Sequence, residues 1–174
     1  MNLQRIILLT LLALVWTAVP ALAQGIPVLV SADNMVYDPD NNKVLFSGSV
    51  ELIREDLTLW CTALTLNLKD SRADQASQEA QGLLPQANLA PNDLETIVAE
   101  QDVYFILNTS NGIADKITYD LDQGIMIMEG NPRMHDGDNS ITGQIIRYYL
   151  DENRSEVEGG SERRVQAVFG SFEL

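Results

Sequence analysis

The sequence predicts an all-β fold of short, bent antiparallel strands built from a duplicated unit. Three observations carry this prediction: a long internal repeat, a period-two alternation of apolar residues, and a change of phase in that alternation at four related places. Ala32-Asp33-Asn34-Met35-Val36-Tyr37-Asp38-Pro39-Asp40 recurs as Ala114-Asp115-Lys116-Ile117-Thr118-Tyr119-Asp120-Leu121-Asp122, an offset of 82 from residue 32 to residue 114. The same offset carries Gly48 onto Gly130, Asp56 onto Asp138, Leu59 onto Ile141, Leu64 onto Ile146 and Leu66 onto Tyr148 without a gap. A weaker repeat, from residue 32 to 61 and again from 114 to 143, divides each half, so that related segments begin near Ala32, Cys61, Ala114 and Gly143.

The chain opens on an export signal. Arg5 supplies the positive start, Ile6 to Val19 is an almost unbroken apolar run, and Ala21-Leu22-Ala23 is a small-x-small cleavage site. The alternative, a membrane anchor, asks for roughly 20 apolar residues, and this run is shorter. Cleavage leaves residues 24–174 as one domain, large enough for a sizeable core or an interior groove. Losing Arg5 moves the net charge from -14 to -15. With 11 Lys and Arg against 25 Asp and Glu, nucleic-acid binding is not expected, since it needs a concentrated positive face.

In the first segment Val28, Val30 and Ala32 alternate on even numbers, whereas Met35 and Tyr37 are odd. Next, Val44, Phe46, Gly48, Val50 and Leu52 alternate, matched at the repeat offset by Met126, Met128, Gly130 and Met134. Leu57, Leu59 and Cys61 are odd and give way to even Leu64, Leu66 and Leu68; Ala114 gives way to Ile117, Tyr119 and Leu121; Ile141 and Gly143 give way to Ile146, Tyr148 and Leu150. Period two marks strands. A strand that keeps one face on the same interior while its parity flips needs a bulge or corner, so these strands fold into a sandwich-like or rolled sheet. Tight connections at Asp38 to Asn42, Asp120 to Gly124 and Asp136 to Asp138 separate them. Residues 70–92 read as a loop with one helical turn around 75–81. Strand pattern returns at Ile97 to Ala99 and Val103 to Leu107, and Arg164 to Phe169 is the terminal strand.

Groups that carry chemistry are sparse. Cys61 is the single cysteine and sits in the apolar run Leu59-Trp60-Cys61, where a buried thiol acts as a small hydrophobe. His135 is the single histidine, too little for a histidine metal cluster or a Ser-His-Asp relay. The pairs Asp38 and Asp40, Asp120 and Asp122, and Asp136 and Asp138 are compatible with calcium, but aspartate favours turns and no EF-hand ligand loop accompanies them. No cofactor, metal or catalytic site is therefore expected. Apolar surface remains. Met35, Tyr37, Phe46, Tyr119 and the methionine at 128 are ordinary core if the roll closes and a greasy trough if it stays open, and periodicity does not separate the two.

The repeated Ala-Asp-x-x-x-Tyr-Asp, followed by Gly48-Ser49-Val50 and Gly130-Asn131, resembles the OstA-like family. The match extends through Ile141-Thr142-Gly143-Gln144-Ile145-Ile146-Arg147-Tyr148 to Arg163-Arg164-Val165-Gln166-Ala167-Val168, nearly the whole mature chain. The resemblance implies a periplasmic protein with an open β-jelly-roll whose interior shields the acyl chains of lipopolysaccharide, its lipid A part. It implies a lipid-facing set of Val28, Val30, Met35, Tyr37, Phe46, Val103, Phe105, Ile117, Tyr119 and Leu121. It also implies joining edges at Val28 and Val30 on the first strand and at Val165, Ala167 and Phe169 on the last. Through them copies would join head to tail, and would meet an inner-membrane-anchored partner and an outer-membrane translocon. The strong acidity and the lack of a Lys-rich tail depart from the family pattern and argue against phosphate binding. Two rival readings are an OstA-like assembly domain that uses its edges and carries no lipid, and a calcium-dependent carbohydrate-binding sandwich.

Overall fold

The computed structural model describes residues 26–69, 93–161 and 163–170; the export signal and the helical turn expected around 75–81 lie outside the described residues. Twelve strands follow in chain order: β1 (Leu29–Ser31), β2 (Asn34–Asp38), β3 (Lys43–Arg54), β4 (Leu57–Leu68), β5 (Leu94–Leu107), β6 (Ser110–Asp120), β7 (Ile125–Glu129), β8 (Arg133–Asp136), β9 (Asn139–Thr142), β10 (Ile145–Tyr149), β11 (Arg154–Glu158) and β12 (Gln166–Val168). The two short runs expected after residue 93 are one strand, β5, and the terminal strand is shorter than the sequence suggests.

The long strands β3 to β6 bend midway, so that one hydrogen-bonded sheet becomes two facing leaves. The first leaf runs β1, the second half of β3, the first half of β4, the second half of β5, the first half of β6, then β8, β9 and β12. The second leaf runs β2, the first half of β3, the second half of β4, the first half of β5, the second half of β6, then β7, β10 and β11. Among the described residues β1 does not pair with β12, nor β2 with β11. The roll is open.

The bends are made by two cooperating devices. On β3, Gly48 and Ser49 together oppose one residue of β4, between the pairs Ser47↔Ala63 and Val50↔Cys61. Both take left-handed φ values of 76° and 42°. Gln101 and Asp102 on β5 do the same at 67° and 55°, and Gly130 and Asn131 after β7 at 69° and 59°. Two residues facing one is a β-bulge, which kinks the strand and adds twist. The facing strands β4 and β6 carry the phase switch instead: Leu57, Leu59 and Cys61 are buried, then Leu64, Leu66 and Leu68; Gly112 and Ala114, then Ile117 and Tyr119.

The repeated Ala-Asp and Gly motifs meet at these corners. The Asp33 N–H donates to the Gly48 carbonyl at 3.0 Å, and Asp115 to Gly130 at 2.9 Å. A Cβ at Gly48 would collide with the Asp33 carboxylate, and one at Gly130 with that of Asp115, so the close approach and the positive φ both require glycine there. Asp38 and Asp120 close equivalent turns. Asp38 accepts from the Asn41 N–H at 3.2 Å and its side-chain amide at 2.7 Å, and Asp120 from Gln123 at 2.8 and 2.9 Å. The Asn41 side chain holds the Asp38 carboxyl below the usual carboxylate range.

Registers repeat as well as residues. The β2–β3 ladder from Asn34↔Ser47 to Asp38↔Lys43 recurs as Lys116↔Glu129 to Asp120↔Ile125 between β6 and β7. Lys43↔Asn67 in β3–β4 recurs as Ile125↔Tyr149 in β7–β10. The duplicated sequence therefore encodes one pairing scheme twice.

Candidate functional site

Residues opposite each other in an antiparallel ladder share a face, which lets the inner surface be read row by row. On the first leaf one row is Val30, Leu52, Leu59, Phe105, Gly112, Met134, Ile141 and Ala167. On the second, one row is Met35, Phe46, Leu64, Ala99, Ile117, Met128, Ile146 and Val157, and the next is Tyr37, Val44, Leu66, Ile97, Tyr119, Met126, Tyr148 and Ser155. The middle of each row is filled by its own side chains: Phe105, Leu52, Leu64, Ile117, Met126 and Met128 are fully buried.

The residues expected from the sequence to face lipid all fall on this surface. Val103, Phe105, Ile117 and Tyr119 belong to the buried cluster, and Val28, Val30, Tyr37, Phe46 and Leu121 pack half-buried against it. Met35 shares the inner face with Phe46 yet is 57% exposed, because among the described residues β2 is an edge and no further strand covers it. At the other end, Val165 and Phe169 flank β12 and are 45% and 77% exposed. The apolar lining thus runs through a packed middle to uncovered margins at both ends.

Among the described residues each end presents two unpaired strand edges, one per leaf. β1 and β2 form the N-terminal end, and β11 and β12 the C-terminal end. Val30 lies on β1, Val28 precedes it, Ala167 lies on β12, and Val165 and Phe169 flank it. β2 and β11 are edges that the sequence did not reveal. β11 carries Arg154, Glu156 and Glu158 on its outer side, with Arg154 paired to Glu152 and Glu156 and Glu158 paired to Arg147. Such charges blunt an edge against non-specific pairing.

Opposite the corner line, the strand tips face each other across a cavity of ≈ 350 Å³. One wall is Arg54, Glu55, Asp56, Leu57, Leu107 and Asn108; the other includes Tyr119, Leu121, Asp122, Tyr148, Leu150 and Asp151. Arg54 pairs with Leu57 at the end of β3 and so belongs to the inner face. Its Nη1 donates to the Tyr119 hydroxyl at 3.0 Å, with the guanidinium carbon 5.4 Å from the ring centre. The Tyr148 hydroxyl is pushed up by burial and then by the carboxylates of Asp136 and Asp56. Arg54 was not singled out in the sequence, although the even-numbered series Val44, Phe46, Gly48, Val50, Leu52 continues to it.

The remaining reactive groups stand apart. Burial pushes the Cys61 thiol up to about 11, so it is protonated at neutral pH. His135 pairs with Asn111 and Ser140 on the outer face of the first leaf. Among the described residues no three His, Cys, Asp or Glu side chains gather to hold a metal ion.

A family model described as LptA/(LptD N-terminal domain) LPS transport protein matches residues 29–154, from the first residue of β1 to the first of β11. The chain belongs to this family. Among the matching solved structures is LptH from Pseudomonas aeruginosa, the LptA-homologous periplasmic component of its lipopolysaccharide transport device. It is 16% identical, with a TM-score of 0.64 over 83% of this chain and 96% of that one, a likeness that establishes the shared fold. No curated protein matches. The OstA-like resemblance and the open jelly-roll expected from it are both met, and the family is one of transport proteins.

Proposed function

We propose that this chain is a periplasmic carrier of lipopolysaccharide, holding lipid A acyl chains against the inner faces of the two leaves during passage between the membranes. The observation that supports this most is the apolar lining, unbroken by charge in its central rows, which reaches the exposed Met35 and the half-buried Val30 at one end and Ala167, between the exposed Val165 and Phe169, at the other. Each methylene kept from water contributes about 0.8 kcal/mol, while the sugar head stays in solvent. No covalent chemistry is needed.

In this reading the export signal is removed after Ala23 and residues 24–174 act as one domain. The free edges join by strand addition: β1 and β2 of one copy to β11 and β12 of the next, and the end edges to an inner-membrane-anchored partner and an outer-membrane translocon. The lipid-facing set is Val28, Val30, Met35, Tyr37, Phe46, Val103, Phe105, Ile117, Tyr119 and Leu121. Half-buried members such as Val30 and Tyr37 meet the chains first; Phe105 and Ile117 do so only as the leaves part.

The fully packed middle of the roll favours a second reading, an assembly module that works through its edges and carries no lipid. A photo-reactive residue at Tyr37 separates the two. Crosslinks to lipopolysaccharide in cells are expected; crosslinks to protein alone would replace the carrier reading with the assembly reading. Val30→Asp is expected to reduce lipid loading at least tenfold in a folded protein, given the cost of a carboxylate on an apolar wall.

A further inference from the structure

A cation on the inner face of an apolar roll needs a reason. Arg54 carries five N–H donors, and among the described residues one bond is formed, from Nη1 to Tyr119. Its Nε is buried without a partner among them. Among the described residues no carboxylate lies within ion-pair distance of it, although Glu55, Asp56, Asp122 and Asp151 line the same cavity. Simple snorkelling, which would carry the whole head group to water, does not describe a guanidinium whose Nε is shut off from solvent.

We infer that Arg54 is a head-group gauge: resting on the carrier reading above, its free donors take the ester or amide carbonyl oxygens that join acyl chains to a lipid's sugar. The position fits that chemistry. Arg54 sits where the apolar rows end and the polar cavity begins, the depth at which an acyl linkage comes to rest when its chains lie on the lining and its head faces water. The charges of the cavity select against phosphate. Of its four carboxylates, Asp122 is paired with Lys69 at 2.6 Å, which leaves Glu55, Asp56 and Asp151 in the same lining as one guanidinium. A phosphate dianion would meet net repulsion from that set, whereas a neutral carbonyl accepts a charge-assisted hydrogen bond without it. Tyr119 holds the guanidinium toward the opposite leaf, so Arg54 spans the opening through which the linkage would enter.

The test compares three amphiphiles of equal chain length on the purified protein, by displacement of a fluorescent hydrophobic probe: a phosphorylated acyl-glucosamine disaccharide, its dephosphorylated form, and an ether-linked analogue without carbonyls. The wild-type protein is expected to bind both acyl forms alike and about tenfold tighter than the ether. Arg54→Met is expected to erase that preference, weakening both acyl forms about tenfold and leaving the ether unchanged. Unchanged acyl binding in the variant would overturn the inference, and a loss confined to the phosphorylated form would reassign Arg54 to phosphate. Should Arg54→Met fail to fold, Arg54→Gln, which keeps a polar stem but loses the cationic donors, is expected to lower the acyl-over-ether preference severalfold, and an unchanged preference in that variant would overturn the inference. Binding of none of the three by wild type would instead remove the carrier reading, and this inference with it.

Discussion

Strand β5 and its counterparts in the second half, β11 and β12, occupy equivalent places in two copies of one pairing scheme, yet they differ in almost every physical respect. β5 is continuous from Leu94 to Leu107 and lies between β4 and β6. The equivalent stretch of the second half is broken between Glu158 and Gln166, and among the described residues nothing pairs with its outer side. Phe105, opposite Leu59, is fully buried. The residue opposite Ile141 in the second copy is Ala167, on a strand exposed throughout. The unit is the same; what differs is whether another strand follows. A strand flanked on both sides becomes core, and the same strand at the end becomes an edge available to a partner.

That comparison is open to attack at three points. The largest effect is expected at Phe105. Phe105→Ala should cost about 3–5 kcal/mol by the transfer and cavity terms, whereas Phe169→Ala beside the terminal strand should stay within about 0.5 kcal/mol. Denaturant unfolding of the two variants measures both. Similar losses at the two sites would mean that the C-terminal strand is packed in solution and is no free edge.

The next effect tests the equivalence of the halves. Gly48→Ala and Gly130→Ala place a Cβ on left-handed backbone against the Cβ as well as the carboxylate of an aspartate, a contact that side-chain rotation does not relieve, at a cost of at least about 1–3 kcal/mol each. Nearly equal losses are expected because the corners share φ, hydrogen bond and neighbour. A difference of more than about 1 kcal/mol would show that one corner carries strain the other lacks.

The smallest structural perturbation uses Cys61, on the inner side of the corner in the first half. With its thiol pushed up to about 11 from 9.0, its thiolate is about 100-fold scarcer near neutral pH than that of an ordinary cysteine. Alkylation is expected to be slower by at least that factor and to accelerate as pH rises toward 11. The same shift makes the neutral thiol the favoured folded form, so its contribution to stability is present below pH 9 and lost as pH climbs through 11. Fast alkylation at neutral pH would mean that the leaves part readily, which would favour lipid reaching the middle of the roll.

Much of this fold is legible in the sequence. The offset of the repeat, the four phase switches and the turn aspartates come directly from side-chain periodicity and turn chemistry; bulges on β3 and β5 face the switches on β4 and β6, and Asp38 and Asp120 hold their turns by hydrogen bonds. The inward placement of Tyr37 and Tyr119 follows from parity, whereas the proposed lipid-facing set as a whole comes from the family resemblance. Less legible was β11, because Arg154-Ser155-Glu156-Val157-Glu158 contains one apolar residue and reads as polar loop unless its ladder to β10 is seen. Arg54 was passed over because a charged residue beside Glu55 and Asp56 looks like turn surface, although strand parity points it inward.

Sequence by itself determined the architecture, since alternation and its phase are local properties of a strand and the duplicated motifs repeat their own hydrogen-bond partners. It left undecided whether the roll closes, which edges stay free, and what the interior contains at its rim. Those belong to tertiary structure, because they turn on distances between leaves joined only through bent strands. The Arg54 bond to Tyr119 spans 65 residues of chain, and no periodicity in either segment announces the other.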